Sequence, residues 1–137
     1  MSNFTNFNTE ILTALNVSAI MSLLDTYYDD VTNTLLPALW ASNEIPEVFD
    51  AENQKSINFF RVTPINNTIE YGQSDYQASC RAKKEADSIT IAAAVVNEIN
   101  RKNYSGYTLK TSMSIAIPPE DETDNWNTPV TITILQR

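Results

Sequence analysis

Histidine is absent from the 137 residues, and Cys80 is the single cysteine. The first absence removes every Cys–His or Ser–His pair, the usual way a nucleophile is activated. The second excludes an intrachain disulfide. Cys80 closes the alternating stretch Tyr76-Gln77-Ala78-Ser79-Cys80, in which Tyr76, Ala78 and Cys80 share one face of a strand. A buried structural thiol is expected there rather than a reactive one. Glycine is almost as scarce, with only Gly72 and Gly106, which leaves little material for phosphate-cradling loops. No Walker loop, dinucleotide fingerprint or nucleophile elbow occurs. No apolar run approaches the roughly 20 residues that span a bilayer. The opening Met1-Ser2-Asn3-Phe4-Thr5-Asn6 lacks the basic start and apolar core of a signal peptide. The expectation is a soluble chain made in a cytoplasm, with no enzymatic activity, cofactor, metal or membrane partner that the sequence reveals.

Positive charge is also in short supply: 9 Lys+Arg stand against 17 Asp+Glu, a net charge of −8. Such a chain is repelled by a phosphate backbone, so sequence-specific binding of DNA or RNA is not expected. The same charge would suit a surface that DNA must pass without adhering, or simply keep the protein in solution. Hydrophobic residues make up 42% and charged residues 19%, a globular composition of a size suited to one domain over residues 1–137.

The pattern along the chain predicts helix, three strands, helix, two strands. Residues 1–17 read as an extended or short helical arm, with a helical turn at 9–15. Ile20, Leu24, Tyr27, Val31, Leu35 and Ala38 recur at steps of three and four, which predicts a long helix within 18–42, kinked at Pro37. Residues 44–49 offer a short extended piece with Pro46 at an edge. A strand is expected over 56–65, with Ile57, Phe59 and Arg61 facing one way, and another over 70–82 with a bulge at Gly72. The second helix spans 84–101, with Ile89, Ala92, Ala93, Val96 and Ile99 as its buried stripe and Arg101 and Lys102 complementing its dipole. Residues 103–106 form a turn. Tyr107, Leu109, Thr111, Met113, Ile115 and Ile117 alternate with Thr108, Lys110, Ser112, Ser114 and Ala116, which predicts a strand over 107–117 with one polar face. A last strand covers 128–136. The predicted fold is α+β: a mostly antiparallel or mixed sheet of four to five strands with two helices packed on one face.

Between the last two strands lies Glu120-Asp121-Glu122-Thr123-Asp124-Asn125-Trp126-Asn127. Asp121, Thr123 and Asn125 have the alternate spacing of calcium-loop ligands. Trp126 stands where that loop needs Gly, however, and Ile132 where it needs Glu, so no metal is expected. The carboxylates Glu120, Asp121, Glu122 and Asp124 resist burial, and Pro118 and Pro119 stiffen the root of the hairpin. Trp126 would supply an apolar anchor for a docking loop, and Trp40 reads as core or interface. The polar row Thr108, Lys110, Ser112 and Ser114 is the second candidate contact surface.

From Ser56-Ile57-Asn58-Phe59-Phe60-Arg61-Val62, through Gln77-Ala78-Ser79-Cys80-Arg81-Ala82 leading into Lys84-Glu85-Ala86, to the two closing strands, the chain resembles the tail terminator, or tail completion, proteins of long-tailed bacteriophages. The resemblance is one of element order and size over roughly residues 18–137, and that family has no catalytic residues to transfer. It implies a structural virion protein made in the host cytoplasm: a homo-oligomeric, usually hexameric ring at the head-proximal end of the tail tube. Such a ring ends tube growth and joins the tail to the neck. Its implied partners are the tail tube protein and a head-completion or neck protein, with DNA passing through the ring. A different head–tail connector or tube-like neck subunit shares the same physics. An acidic DNA mimic is the alternative of another class, although Asp25, Glu44, Asp50, Glu70, Glu85 and the loop acids are spread along the chain.

Overall fold

The computed structural model describes residues 7–41, 55–62, 73–104, 106–120 and 125–136. Its elements are helices α1 (Asn8–Leu15), α2 (Ser18–Met21) and α3 (Glu85–Ile99), and strands β1 (Thr26–Asp29), β2 (Thr34–Pro37), β3 (Leu39–Ala41), β4 (Ser56–Arg61), β5 (Gln73–Ala82), β6 (Lys102–Tyr104), β7 (Tyr107–Met113) and β8 (Trp126–Gln136). The fold is α+β with a mixed sheet, but the sheet has six strands rather than four to five. Its order is β3-β4-β5-β8-β7-β6, parallel only between β3 and β4. No helix among the described residues is long and apolar enough to cross a membrane.

Period-two alternation builds one face of the sheet. Ile57, Phe59, Tyr76, Ala78, Cys80, Leu109, Val130, Ile132 and Ile134 are all buried there. Ladder partners such as Phe59 with Ala78 and Ala78 with Val130 keep these side chains on one side. Helix α3 covers this face, packing against β5, β7 and β8, and α1 joins the same core through Ile11, Ala14 and Leu15. The α3 stripe is rotated from its expected position. Ser88, Ile91, Ala92, Val95 and Ile99 are buried, while Ile89 is exposed. A polar residue can enter the stripe because its hydroxyl is satisfied. Ser88 Oγ donates to the Glu85 carbonyl at 2.8 Å and therefore accepts from Thr128 Oγ1 at 2.9 Å, in the core.

The start of α1 is tied to the sheet by Tyr76. Its hydroxyl accepts from the Phe7 backbone N–H at 2.7 Å and from Arg61 Nη2 at 3.3 Å, and the Arg61 guanidinium lies 5.4 Å from the ring centre. Burial pushes the Cys80 thiol up to about 12, as expected of a structural cysteine.

The long helix expected within 18–42 is not formed. After the single turn of α2 the chain makes a β-hairpin, β1 against β2, and then enters the sheet as β3. Local turn chemistry explains the outcome. Asp29 Oδ2 accepts from the Thr32 N–H at 3.1 Å and from the Thr32 hydroxyl at 2.6 Å, and Asn33 takes a positive φ of 55°. Asx-type capping and a left-handed Asn reverse the chain, and Thr26, Tyr27, Tyr28 and Thr34 favour the flanking strands. Two residues of the supposed stripe are consequently exposed, Val31 at 89% and Leu35 at 68%. Trp40 packs in a small separate cluster with Ala38 and Tyr27, donating from Nε1 to the Tyr27 hydroxyl at 3.1 Å.

The sixth strand arises where a turn was expected. Helix α3 stops at Ile99 with no basic residue in its last turn, Arg101 adopts a φ of 61°, and Lys102–Tyr104 pairs with β7. Tyr104 and Tyr107 are ladder partners, and Gly106, just before Tyr107, takes a φ of 89° that suits a tight reversal. Strand β7 is shorter than expected because of Pro129. The Pro129 carbonyl accepts from the Ser114 N–H at 2.9 Å, so its missing N–H faces the same neighbour and interrupts the ladder. Pairing resumes only at the single Ile117–Asn127 bridge. The extended piece at 44–49, the turn after 62 and the bulge at Gly72 lie outside the described residues.

Candidate assembly surfaces

The sheet has a second face, opposite α3. Ladder partners place Asn58, Ser79 and Pro129 in one row, Phe60, Gln77, Thr131 and Ser112 in the next, and Asp75, Thr133 and Lys110 in a third. Hydrogen bonds tie parts of this face together. Arg81 Nε donates to Asn58 Oδ1 at 3.2 Å, Gln77 Nε2 to Ser79 Oγ at 3.2 Å, and Thr133 Oγ1 to Asp75 Oδ1 at 2.8 Å. The result is a largely polar platform with Phe60 as a partly exposed aromatic.

The candidate strand residues Thr108, Lys110 and Ser112 lie on this platform, opposite Leu135, Thr133 and Thr131. Thr108 donates to Asn103 Oδ1 at 2.7 Å, while Lys110 and Ser112 are exposed. Ser114 is exposed just beyond the end of β7.

The acidic loop meets the structure only at its ends. Glu120 is exposed; Asp121, Glu122 and Asp124 lie outside the described residues. Trp126 is not a loop residue. It is the first residue of β8, half-buried and paired with Ala82, which sets it on the helix-bearing face. The alternation of Val130, Ile132 and Ile134 extends back through Thr128 to Trp126, and this signal could have placed it in the strand. The Trp126 side chain and the polar row of β7 thus belong to opposite faces of the sheet.

Three further surface features escaped the sequence reading. The first is the β1–β2 hairpin. Tyr28 and Leu35 are ladder partners on one of its faces, exposed at 50% and 68%, and Val31 stands at its tip. Asp29 and Asp30 lie beside them, and the Thr32 hydroxyl bonded to Asp29 holds that carboxyl below its ordinary range. The second is the β6–β7 margin, where Tyr104 and Tyr107 stack with ring centres 5.0 Å apart and planes 10° apart. Burial raises both phenols; Glu10 and Tyr104 add to the rise at Tyr107. Lys102 Nζ sits 5.9 Å from the Tyr104 ring centre, and Arg101, Lys102 and Lys110 are all exposed. The third is a groove of about 200 Å³ between the first helices and the hairpin base, lined by Leu12, Asn16, Met21, Tyr27, Leu36, Pro37 and Leu39.

Among the described residues, no group of three or more Cys, Asp or Glu side chains is arranged to hold a metal. The chain matches no protein-family model and no curated protein.

Proposed function

We propose that the chain is a structural virion subunit, a ring-forming tail terminator that caps the head-proximal end of a phage tail tube and joins the tail to the neck. Its partners in this reading are further copies of itself, the tube protein below and a neck protein above. The observation that supports it best is the succession of elements: a β4–β5 hairpin, one helix laid across the sheet, and closing strands that return to its centre. This is the order on which the resemblance to tail terminators rests. The surfaces left over also suit assembly. Large apolar side chains such as Leu35 and Val31 remain in solvent at one margin, an aromatic pair with cations stands at the other, and a polar platform lies between them.

The decisive experiment removes the protein from assembling virions and images the products. Tails of irregular length that fail to join heads support the terminator role. Tails of normal, uniform length that join heads normally exclude it.

A further inference from the structure

The two margins of the sheet carry opposite charge. Residues 26–37, which form the hairpin, contain Asp29 and Asp30 and no Lys or Arg. At the other margin Arg101 precedes β6 and Lys102 lies in β6, and neither β6 nor β7 contains an acid. Glu10 of α1, which acts on Tyr107, leaves that margin net positive. Both margins are also apolar at their centres: Tyr28, Val31 and Leu35 on the hairpin, Tyr104 and Tyr107 at the far side.

The two surfaces cannot meet within one molecule. The hairpin joins the sheet at β3: the Ala38 N–H donates to the Asp25 carbonyl, and the Ile57 N–H to the Ala38 carbonyl. Strand β6 is the outermost strand on the opposite side of the six-stranded sheet. Five inter-strand spacings set β3 and β6 about 24 Å apart. Each surface has the features of half an interface: aromatic or aliphatic anchors at the centre and charges of one sign around them.

We propose that the β1–β2 hairpin of one copy docks against the β6–β7 margin of a second copy. The assignment rests on the reading of the chain as a self-assembling subunit, and it names the surfaces through which the copies join. Tyr28 and Leu35 meet the stacked Tyr104–Tyr107 pair, while Asp30 approaches Arg101 and Lys102. Because the two surfaces differ, the contact is heterologous: each copy offers a hairpin forward and a margin backward, which closes into a ring when the rotation allows.

The test is a charge exchange on the full chain, read by analytical ultracentrifugation and native mass spectrometry. One variant carries Asp30→Lys and Leu35→Lys, both at exposed positions on the hairpin. The other carries Arg101→Glu and Lys102→Glu, both exposed at the far margin. Each variant alone should self-associate at least about tenfold more weakly than the natural chain, because like charges now face each other. Mixing the two should restore association, in assemblies that alternate the variants. The rescue also shows that both variants are folded. Failure of the mixture to associate, or undiminished association of either variant alone, overturns the proposal. A natural chain that assembles while both variants assemble equally well leaves the ring reading standing and removes only this pairing. A natural chain that stays monomeric at every concentration removes the pairing as well, and virion imaging then judges the terminator reading independently.

Discussion

Replacing Tyr76 by Phe should loosen the first helix from the rest of the protein. Tyr76 is 1% exposed, and its hydroxyl is the acceptor for the buried N–H of Phe7, the residue that opens α1. The N-cap residue, Phe7, makes no side-chain cap hydrogen bond, so the Tyr76 hydroxyl does work that a Ser or Asp at that position would otherwise share. The substitution removes one oxygen and creates almost no cavity, so the packing loss is minor. What remains is an orphaned amide in a buried setting, which costs about 1–3 kcal/mol. Arg61 adds little, since it is half-buried and its 3.3 Å bond can be replaced by water, while its approach to the ring survives in Phe. The net expectation is a loss of about 2 kcal/mol, which lowers the melting temperature by several degrees in a domain of this size. Urea unfolding followed by tryptophan fluorescence gives the stability, and amide exchange at Ile11 and Leu15 locates the loss in α1. A stability within about 0.5 kcal/mol of the natural protein, below the cost of any orphaned buried donor, would refute the anchoring role. Arg61→Leu is the control. It should cost well under half as much, because the buried Phe7 bond is untouched.

Three other expectations follow from the same geometry. Ser88→Ala strands the Thr128 hydroxyl in the core and should cost about 1–2 kcal/mol; adding Thr128→Val should recover part of it, as a double-mutant unfolding cycle will show. The Cys80 thiol, which burial pushes from its ordinary value of 9.0 up to about 12, should resist thiol reagents near pH 8 until the protein is unfolded. Its sign is that of an acid kept neutral by the fold: above pH 9 the unfolded thiol ionises while the native one does not, so stability falls as pH rises from about 9 towards 12, less steeply in Cys80→Ala. Ser112→Glu, on the polar platform, should leave the melting temperature unchanged and impair assembly if β7 lies at a subunit contact; full assembly of this variant would remove that face from consideration.

Legibility in the sequence followed burial. Strand β8 was evident because Val130, Ile132 and Ile134 alternate with residues of the open face, and the core truly lies on one side of them. The buried faces of β4 and β5, including the inert setting of Cys80, were evident for the same reason. Helix α3 is legible in extent but not in rotation, because apolar periodicity does not register Ser88, which enters the buried stripe through its hydrogen bond with Thr128. The strand at 102–104 went unread, although Ser105-Gly106 between Tyr104 and Tyr107 is a hairpin signal in its own right. Three residues are too few for periodicity to speak, so only the strand that follows the turn is legible.

The misread stretch at 18–42 has a different cause, and it bears on function. Helical periodicity locates a buried face only if the apolar residues being counted are buried in the monomer. Ile20, Leu24 and Ala38 meet that condition; Val31 and Leu35 do not. Their spacing fits a helix by coincidence with a hairpin whose apolar side chains point into solvent. A sequence consistent at every level except one segment directs attention to that segment, because local rules are most often broken where a surface serves something other than the monomer's own stability. Exposed Tyr28, Val31 and Leu35 do little for the isolated chain and add to its tendency to associate. The hairpin is also held in shape by its own hydrogen bonds, from Thr32 to Asp29 and from Tyr28 to Asn33, so it reaches solvent already formed. A preformed arm loses little entropy on docking, which is what a subunit needs if each contact is modest and stability comes from closing many of them at once. The helical periodicity at 18–42 and the proposed subunit contact would thus share one physical origin: apolar side chains that the monomer leaves exposed.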